Sequence, residues 1–462
     1  MVSFTDFDIA IIVIFLFIVI LIGLSASFFS TKNNDEGYLL SDRNVGMSLF
    51  ILTNVATWYG GILGVGEFSF RYGLVSWLTQ GVPYYFFALL FAFFFAGKIR
   101  EASLYTIPDK LSEVYGKKVG LLSASLIFIL VLPAPYLLIL SQILIYIFNI
   151  NSFTALIISS FISSIYLIFG GYKSNIWADS FSFFVMFFGF MLIVYVAFTN
   201  YGGLEFLENN LPENHLFITG NTSITYIIVW FLIALWTFTD PGFHQRCYSA
   251  KSKIVAKWGI VISVFLWALF DFLTNSTGLY SKAIIPDLQN PMLAFPSLAD
   301  KILSSGLKGI FFSALLATVL STLNSFIFLS ATTFSRDFVF KLNPKVTIDI
   351  TYYTRIGIFV ALTISIIIAY FFKSVVELWY TIGSICIPGI ILLIISAYYP
   401  KLRVSNRAAL VEIILGVLTS IIWFFIMSYF SDNEILSQIE PMIVGMVVVL
   451  ITHLLNVKKV NN

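Results

Sequence analysis

Four hydroxyl-bearing residues lie within one apolar stretch of the sequence, centred on Ser321 and Thr322. If the stretch is helical, Thr318 lies one turn before Thr322 and Ser325 one turn after Ser321, so the four oxygens can share a face. Hydroxyl groups in lipid need partners, because an unsatisfied polar group there costs several kcal/mol. A cluster made only of oxygens suits a hard cation such as Na⁺. Back-bonding to carbonyl groups one turn earlier is the alternative, which the pattern taken alone favours.

A glycine-rich run lies in an earlier apolar stretch, between Asn54 and Glu67. It contains four glycines within seven residues, from Gly60 to Gly66. Since each glycine lowers helix propensity by about 1 kcal/mol relative to alanine, we expect the helix to unwind there. The freed carbonyl groups of an unwound membrane helix can bind an ion, and its half-helix ends can face a solute. The alternative is that these small residues allow neighbouring helices to pack closely.

Three carboxylates also fall inside apolar stretches, where an ionisable side chain is a functional candidate by default. Asp179 lies near the inner end of its stretch, and the alternative for it is an interfacial carboxylate satisfied by water. Asp271 can reach a polar cluster with Asn275, one turn further on. Glu67 stands one turn before Arg71, so we expect an ion pair there. No specific role is assigned to Asp271 or Glu67.

An amide and an indole are further candidates for contact with a solute. Gln80 lies shortly before Pro83 in the third apolar stretch, where a neutral amide can hydrogen-bond a polar molecule. A hydrogen bond between helices is the alternative for Gln80. Trp236 is weak support for a pocket, because aromatic residues make up 18% of the chain and most must face lipid or core.

The composition defines the broad class of protein. Hydrophobic residues make up 59% of the 462 residues and charged residues only 11%, against about 25% charged in soluble domains. The chain is therefore an integral membrane protein. The two cysteines and three histidines are too scattered for a disulfide framework or a zinc site. A net charge of +2 without a basic face gives no indication of nucleic-acid binding.

Apolar runs recur along the whole chain, and we expect about thirteen transmembrane helices. The first run follows Asp6 and Asp8, whereas a signal peptide begins with positive charge, so we expect a retained span. The predicted spans lie near residues 7–29, 47–72, 74–97, 119–147, 153–170, 176–199, 223–240, 255–280, 307–335, 352–371, 375–398, 408–430 and 438–456.

The basic residues set the expected orientation of these spans. With the N-terminus outside, most of the 26 lysines and arginines fall on the inner side, which is the positive-inside pattern. The C-terminus is then cytoplasmic. We expect a multi-pass protein of the plasma membrane (the inner membrane in a Gram-negative cell) that functions as a monomer.

Five separated stretches of the sequence resemble motifs of the sodium:solute symporter family. The hydroxyl segment, Thr318–Ser325, is part of the last of these stretches. The matches follow the family order between about residues 37 and 337. The stretches are Thr57–Gly61 with the following Gly64, Tyr105–Leu111, Gly170–Asp179, Phe243–Ser252, and Ala314–Ser325 with Arg336–Asp337. Each match is modest alone, and their order and number make the resemblance specific.

The resemblance implies an all-α membrane protein with a leucine-transporter-like core of two inverted five-helix repeats. One extra helix would precede this core and two would follow it. The two halves show no convincing symmetry in sequence, so the repeat rests on the resemblance alone. The implied divisions are an N-terminal helix in 1–36, a core in 37–398 with repeats at about 47–199 and 223–398, and two C-terminal helices in 399–462.

The resemblance also implies a Na⁺ site between the glycine-broken helix and the hydroxyl segment. Its ligands would be the backbone carbonyl groups of Asn54, Thr57 and Thr318 and the hydroxyl groups of Ser321 and Thr322. Asp179 matches a family aspartate near the exit path of the ion. Together with Ser325, Asp179 would either mark that path or form a second Na⁺ site.

Substrate-contacting positions carried over from the family surround the same broken helix. They are Trp58, Tyr59, Gly60, Gly61, Gln80 and Trp236. The sequence departs from the family pattern at Asn54, where a small residue is usual, although a carbonyl ligand tolerates that change. Because no basic residue is evident among the pocket positions, we expect a solute that is not strongly anionic.

The expected function is sodium-coupled secondary active symport, importing a small polar organic solute by alternating access. A proton-coupled or uncoupled transporter of the same fold is an alternative, with Asp179 and Asp271 able to carry protons. A membrane enzyme is not expected, because no histidines, cysteines or paired carboxylates are grouped at one face. A transporter-like sensor subunit is a further alternative, although no appended effector domain is expected after the last span.

Overall fold

The computed structural model describes residues 4–28, 35–220, 222–343, 349–372, 375–427 and 439–457. Within these ranges the chain is helical and forms no β-strand beyond two isolated bridges. The helices of the first half are α1 (Asp6–Phe28), α2 (Asp35–Leu40), α3 (Met47–Ala56), α4 (Ile62–Tyr72), α5 (Val75–Gln80), α6 (Val82–Phe91), α7 (Gly97–Ala102), α8 (Ile107–Tyr115), α9 (Lys117–Leu130), α10 (Ala134–Phe148), α11 (Ser152–Tyr201) and α12 (Leu204–Asn210).

The helices of the second half are α13 (Ile224–Ile233), α14 (Pro241–Ser249), α15 (Lys253–Ile284), α16 (Ala294–Ile302), α17 (Leu307–Thr332), α18 (Ile350–Phe371), α19 (Val375–Tyr398), α20 (Asn406–Met427) and α21 (Pro441–Asn456). A π-helical segment joins α6 to α7, and a second one extends α17 to Phe340. Ten helical stretches of the described chain are long and apolar enough to cross a membrane. The count of thirteen spans therefore stays a prediction.

The spans predicted at 153–170 and 176–199 are two helices that together make up α11 and meet at a kink with no loop between them. The kink lies at Gly171, whose φ of +56° is a left-handed conformation that side chains disfavour. The carbonyl and ring of Tyr38 also press on the position that a Cβ of Gly171 would occupy. Both constraints explain why glycine stands there.

The span predicted at 47–72 is broken, as its glycines indicated. Helix α3 ends at Ala56 and α4 begins at Ile62, which leaves Thr57–Gly61 outside regular helix. A second interruption separates α13 from α14, where a 3-10 turn covers Ala234–Phe238 and the side chain of Asp240 caps α14. Interrupted helices within the membrane are tolerated where they line a cavity or lie inside protein.

Helix α17 lies at the centre of the bundle. Every residue from Phe311 to Ser325 is buried, and the helix packs against α1, α3, α10, α11 and α18. The hydroxyl segment therefore faces protein on all sides and not lipid. The last two described helices, α20 and α21, pack on each other and on α19, away from this centre.

Candidate ion and solute site

The hydroxyl groups of α17 meet the carbonyl groups at the broken end of α3. Ser321 Oγ donates to the carbonyl oxygen of Ala56 at 2.7 Å, and Thr322 Oγ1 donates to that of Thr57 at 2.9 Å. Both hydroxyls also reach the carbonyl of Thr318 within α17, at 3.1 and 3.3 Å. Since the bonds across to α3 are the shorter ones, back-bonding is the minor component of this arrangement. Five oxygens from two helices converge here.

The backbone of the broken segment lies close to α17. A Cβ added to Gly60 would lie 2.5 Å from Cβ of Thr322, so only glycine fits against α17 at this point. Thr57 Oγ1 donates to the carbonyl of Thr53 at 2.8 Å and accepts a bond from Nη2 of Arg246 at 2.5 Å. These bonds fix the orientation of the last turn of α3 and hold its carbonyl groups towards α17.

The structure places the predicted ion-site residues as follows. Thr57, Thr318, Ser321 and Thr322 are brought together by the hydrogen bonds above. Asn54 is buried one turn back on α3, and its amide nitrogen has no hydrogen-bond partner among the described residues. Sequence reasoning missed the Ala56 carbonyl, because which carbonyl of an unwound turn points at a neighbour depends on the dihedral angles of that turn.

A second polar cluster connects α3, α11 and α17. Asp179 is fully buried and accepts bonds from Thr53 Oγ1 at 2.6 Å and from Nδ2 of Asn175 at 3.3 Å. The same amide group of Asn175 donates to Ser325 Oγ at 2.8 Å. Oδ1 of Asp179 and Oδ1 of Asn175 have no partner in the described part of the chain. The cluster thus links Asp179 to Ser325 and leaves acceptor oxygens unused.

Sequence reasoning missed Thr53 and Asn175. A signal for both was present in the spacing: Thr53 lies one turn before Thr57, and Asn175 one turn before Asp179, so each shares a helix face with a candidate. A buried acceptor cluster of carboxylate, amide and hydroxyl oxygens is suited to a cation. No basic side chain forms an ion pair with Asp179 within the ranges described.

A cavity of about 900 Å³ lies on the other side of the broken segment. Of the predicted solute contacts, five line this cavity: Trp58, Tyr59, Gly61, Gln80 and Trp236. Gly60 instead faces Thr322 of α17. The cavity extends to Thr222, Ser223 and Glu440 at one end of the bundle, so it reaches from the helix break to that end.

The wall of the cavity is acidic and aromatic. Asp240, Asp271 and Asn275 contribute to it, together with tyrosine and tryptophan side chains from several helices. Within the described chain the wall contains no lysine or arginine. The ring of Trp58 packs at 5.3 Å from that of Tyr84, measured between centroids. This composition agrees with the expectation of a solute that is not strongly anionic.

The opposite end of the bundle is closed by ion pairs. Lys341 Nζ lies 3.2 Å from a carboxylate oxygen of Asp109 and 3.1 Å from one of Asp337. Arg336 also pairs with Asp109, at 3.3 Å, and Thr106 donates to Asp337 at 2.7 Å. These contacts tie the loop and helix around α8 to the end of α17. Among the described residues, the lining of the large cavity reaches Glu440 at one end and includes none of these ion-paired residues at the other.

Comparison with protein families agrees with the sequence resemblance. The model of the sodium:solute symporter family matches residues 38–416. Similar curated proteins include sodium/myo-inositol cotransporter 2 of Bos taurus (23% identical, 73% of this chain and 57% of that protein). Sodium/glucose cotransporter 1 of Oryctolagus cuniculus is 24% identical, over 73% of this chain and 59% of that protein. High-affinity choline transporter 1 of Drosophila melanogaster is 25% identical, over 80% of this chain and 63% of that protein. The chain spans about three fifths of the length of these relatives.

Solved structures share the fold. A Na⁺-coupled sialic acid symporter in a substrate-bound outward-open state superposes with a TM-score of 0.80 at 15% identity, covering 97% of this chain and 98% of that one. Mhp1, a nucleobase-cation-symport-1 family transporter in a closed conformation, superposes with a TM-score of 0.61 at 13% identity, covering 91% of this chain and 94% of that one. The expected leucine-transporter-like, all-α membrane fold is confirmed. The relatives and neighbours are transporters by name and not enzymes, as expected.

Proposed function

Because the chain belongs to the sodium:solute symporter family, we propose that it is a sodium-coupled symporter that carries a small polar organic solute across the membrane by alternating access. One observation carries this proposal. The hydroxyl groups of Ser321 and Thr322 meet the carbonyl groups of Ala56 and Thr57 where a transmembrane helix is interrupted. An interrupted helix beside a cavity is the usual location of ion and substrate sites in transporters of this kind.

Oxygens of α3 and α17 would bind Na⁺ at this junction. The hydroxyl oxygens retain lone pairs while they donate to carbonyl groups, and on ion binding their hydrogens can turn away. The carbonyl groups of Thr318 and Asn54 would complete the set, as the family resemblance implies. Asp179 and Ser325, linked through Asn175, would either bind a second Na⁺ or mark the path by which the first one leaves.

Coupling follows from the position of this junction. The junction lies between α17 and the broken helix formed by α3 and α4. The other face of the broken helix lines the cavity. An ion that binds more tightly when these elements are close shifts the population towards that conformation, and it thereby raises solute affinity in the adjacent cavity. The solute would then occupy the space lined by Trp58, Gln80 and Trp236.

The direction of transport rests on the orientation predicted from the basic residues. With the N-terminus outside and the C-terminus cytoplasmic, the open end of the cavity faces outward, and the ion pairs of Lys341 face the cytoplasm. This arrangement supports import, and we propose that a monomer carries it out in the plasma membrane. Outward opening followed by inward release would require the contacts among Lys341, Asp109 and Asp337 to separate.

The test is sodium dependence in a variant that lacks both hydroxyls. Purified protein is titrated with NaCl at constant ionic strength against KCl while the melting temperature is followed, and uptake is measured in proteoliposomes. We expect the double variant Ser321→Ala with Thr322→Ala to lose Na⁺-dependent stabilisation and Na⁺-stimulated uptake. The variant removes the two side-chain oxygens that α17 directs at the end of α3.

A matched control removes two hydroxyls from the same helix. Ser313 and Thr332 are buried on α17 and bond only to carbonyl groups one turn earlier, at 2.8 Å each. The control Ser313→Ala with Thr332→Ala is expected to keep the sodium response. If the Ser321 and Thr322 variant responds to Na⁺ as the control does, the site is wrongly placed.

Proton coupling is a second candidate, favoured by the burial of Asp179 without an ion pair in the described chain. It makes a different prediction in the same liposomes. Uptake driven by a pH gradient in Na⁺-free buffer supports the proton-coupled alternative. Uptake that needs a Na⁺ gradient and is insensitive to the pH gradient supports sodium coupling.

A further inference from the structure

Asp271 of α15 is a carboxylate in the cavity wall that has no basic partner in the part of the chain that the structure describes. It is 8% exposed, and none of the ion pairs in the described ranges includes it. From its surroundings we infer that the transported solute carries a positively charged nitrogen, which Asp271 binds. This inference rests on the proposed function, in which the cavity is the solute site.

Neutral donors hold Asp271 in place without compensating its charge. The phenol of Tyr85 donates to Oδ2 of Asp271, and Trp77 Nε1 donates in turn to the Tyr85 oxygen at 3.2 Å. The indole bond orients the phenol so that its single hydrogen is directed at the carboxylate. The break between α5 and α6 lies against the same oxygen, since a Cβ added to Gly81 would lie 2.9 Å from it.

A second acceptor lies one helical turn away. Asn275 is 6% exposed, lines the cavity, and donates through Nδ2 to the backbone carbonyl of Asp271 at 2.8 Å. The flipped amide would set two acceptor oxygens 2.8 Å apart, so Nδ2 faces the carbonyl group and Oδ1 is left as an acceptor. No hydrogen-bond partner of Asn275 Oδ1 is found in the described residues. The solute therefore has a second acceptor available for its donor groups, one helical turn from the carboxylate.

The charge of Asp271 discriminates between cationic and neutral solutes. A buried carboxylate without a counter-charge carries a desolvation cost that neutral hydrogen bonds only partly offset. A polyol brings donors but no charge, whereas an ammonium group brings both. The aromatic walls add to this preference, because cations are attracted to the faces of tryptophan and tyrosine rings, and Trp58, Trp77 and Tyr84 all line the cavity.

The other aspartate of the wall is already engaged. Asp240 Oδ1 caps α14 by accepting from the backbone nitrogen of Phe243 at 2.9 Å. Arg246 approaches the same place, since a Cβ added to Gly242 would lie 2.8 Å from Arg246 Nη1 and 2.9 Å from Asp240 Oδ1. A solute cation therefore finds its uncompensated partner at Asp271 and not at Asp240.

The experiment measures solute binding to the full chain in saturating NaCl by thermal shift, followed by titration. The probes with a charged nitrogen are ethanolamine, choline and proline, and the probes without one are myo-inositol, glucose and lactate. We expect stabilisation by at least one charged-nitrogen probe and by none of the others. Stabilisation by myo-inositol or glucose, or by no charged-nitrogen probe at all, overturns the inference, and this panel needs no variant.

Two variants then test the role of Asp271. Asp271→Asn keeps the shape and removes the charge, and we expect at least about tenfold weaker binding of the probe, as for a lost bond to a charged group. The control Glu67→Gln makes the same chemical change at a carboxylate outside the cavity wall, which pairs with Arg71 at 2.9 Å. Binding by Asp271→Asn that equals the control overturns the inference.

Failure of this inference is separable from failure of sodium coupling. The NaCl titration without any solute reports the ion site alone. Protein that responds to Na⁺ but binds only neutral probes keeps the proposed function and refutes the role of Asp271. Protein that binds a charged-nitrogen probe equally in NaCl and KCl keeps the role of Asp271 and refutes sodium coupling.

Discussion

Replacing Gly60 with alanine is expected to weaken Na⁺ binding without removing any proposed ligand oxygen. The new Cβ would lie 2.5 Å from Cβ and 2.7 Å from Oγ1 of Thr322. Thr322 Cβ is attached directly to the α17 backbone, so it cannot swing away as the end of a long side chain would. The broken segment and α17 must therefore move apart, by about 1 Å to restore an ordinary carbon–carbon separation.

That displacement acts on the junction itself. The bond from Thr322 Oγ1 to the Thr57 carbonyl is 2.9 Å long, and an increase of about 1 Å takes it beyond hydrogen-bond range. Overpacking of this kind costs about 1–3 kcal/mol. If the cost falls on the ion-bound conformation, in which the two helices are closest, Na⁺ binding weakens by about 5- to 150-fold.

The assay is a NaCl titration of the variant, read by thermal shift or by binding of radioactive sodium. Gly46→Ala is the control, because Gly46 precedes α3 and a Cβ added there meets nothing within 4 Å. The control is expected to bind Na⁺ as the original protein does. Equal sodium affinity in the two variants would refute the reasoning, since it would mean that the separation of Gly60 and α17 does not matter for the ion.

Two further perturbations test other parts of the molecule. Lys341→Met leaves the buried Asp337 without an ion-pair partner in the described chain, at a cost of about 3–5 kcal/mol, and leaves Asp109 paired with Arg336 alone. We expect easier opening of that end, measured by reagent access to an introduced cysteine. Lys110→Met, which breaks a half-exposed pair, is expected to have little effect. Burial holds the pKa of His215 below 6.5. The contribution of the neutral imidazole to stability is therefore present above pH 6.5 and lost as the pH falls. We expect His215→Gln to reduce the pH dependence of the free energy of unfolding between pH 7 and 5, and an unchanged dependence would contradict this.

Local spacing made several features of the site predictable. The glycine run from Gly60 predicted the break in the helix, because low helix propensity acts within one segment. The pairing of Glu67 with Arg71 followed from their separation by one turn and is confirmed at 2.9 Å. The solute-contact positions Trp58 and Trp236 came from the family resemblance, and both line the cavity.

Contacts between distant segments were not predictable in the same way. The bond from Thr53 to Asp179 joins residues 126 positions apart, and that from Ser321 to Ala56 joins residues 265 positions apart. Asp271 was recognised as a carboxylate inside a span and received no role. Whether it faces lipid, a basic partner or a cavity depends on how α15 is rotated against its neighbours, and helix rotation is set by packing.

The sequence by itself determined that the chain is a membrane protein of helices, where one helix breaks, and which hydroxyls share one face of a later helix. Those properties depend on composition, propensity and helical period, which are contained in short segments. Only the tertiary structure decided that Gly60 faces Thr322 and not the cavity, that Asn175 links Asp179 to Ser325, and that Asp271 lines the cavity with no ion-pair partner among the described residues. Such facts arise from the packing of helices far apart in the chain, and no local pattern encodes them.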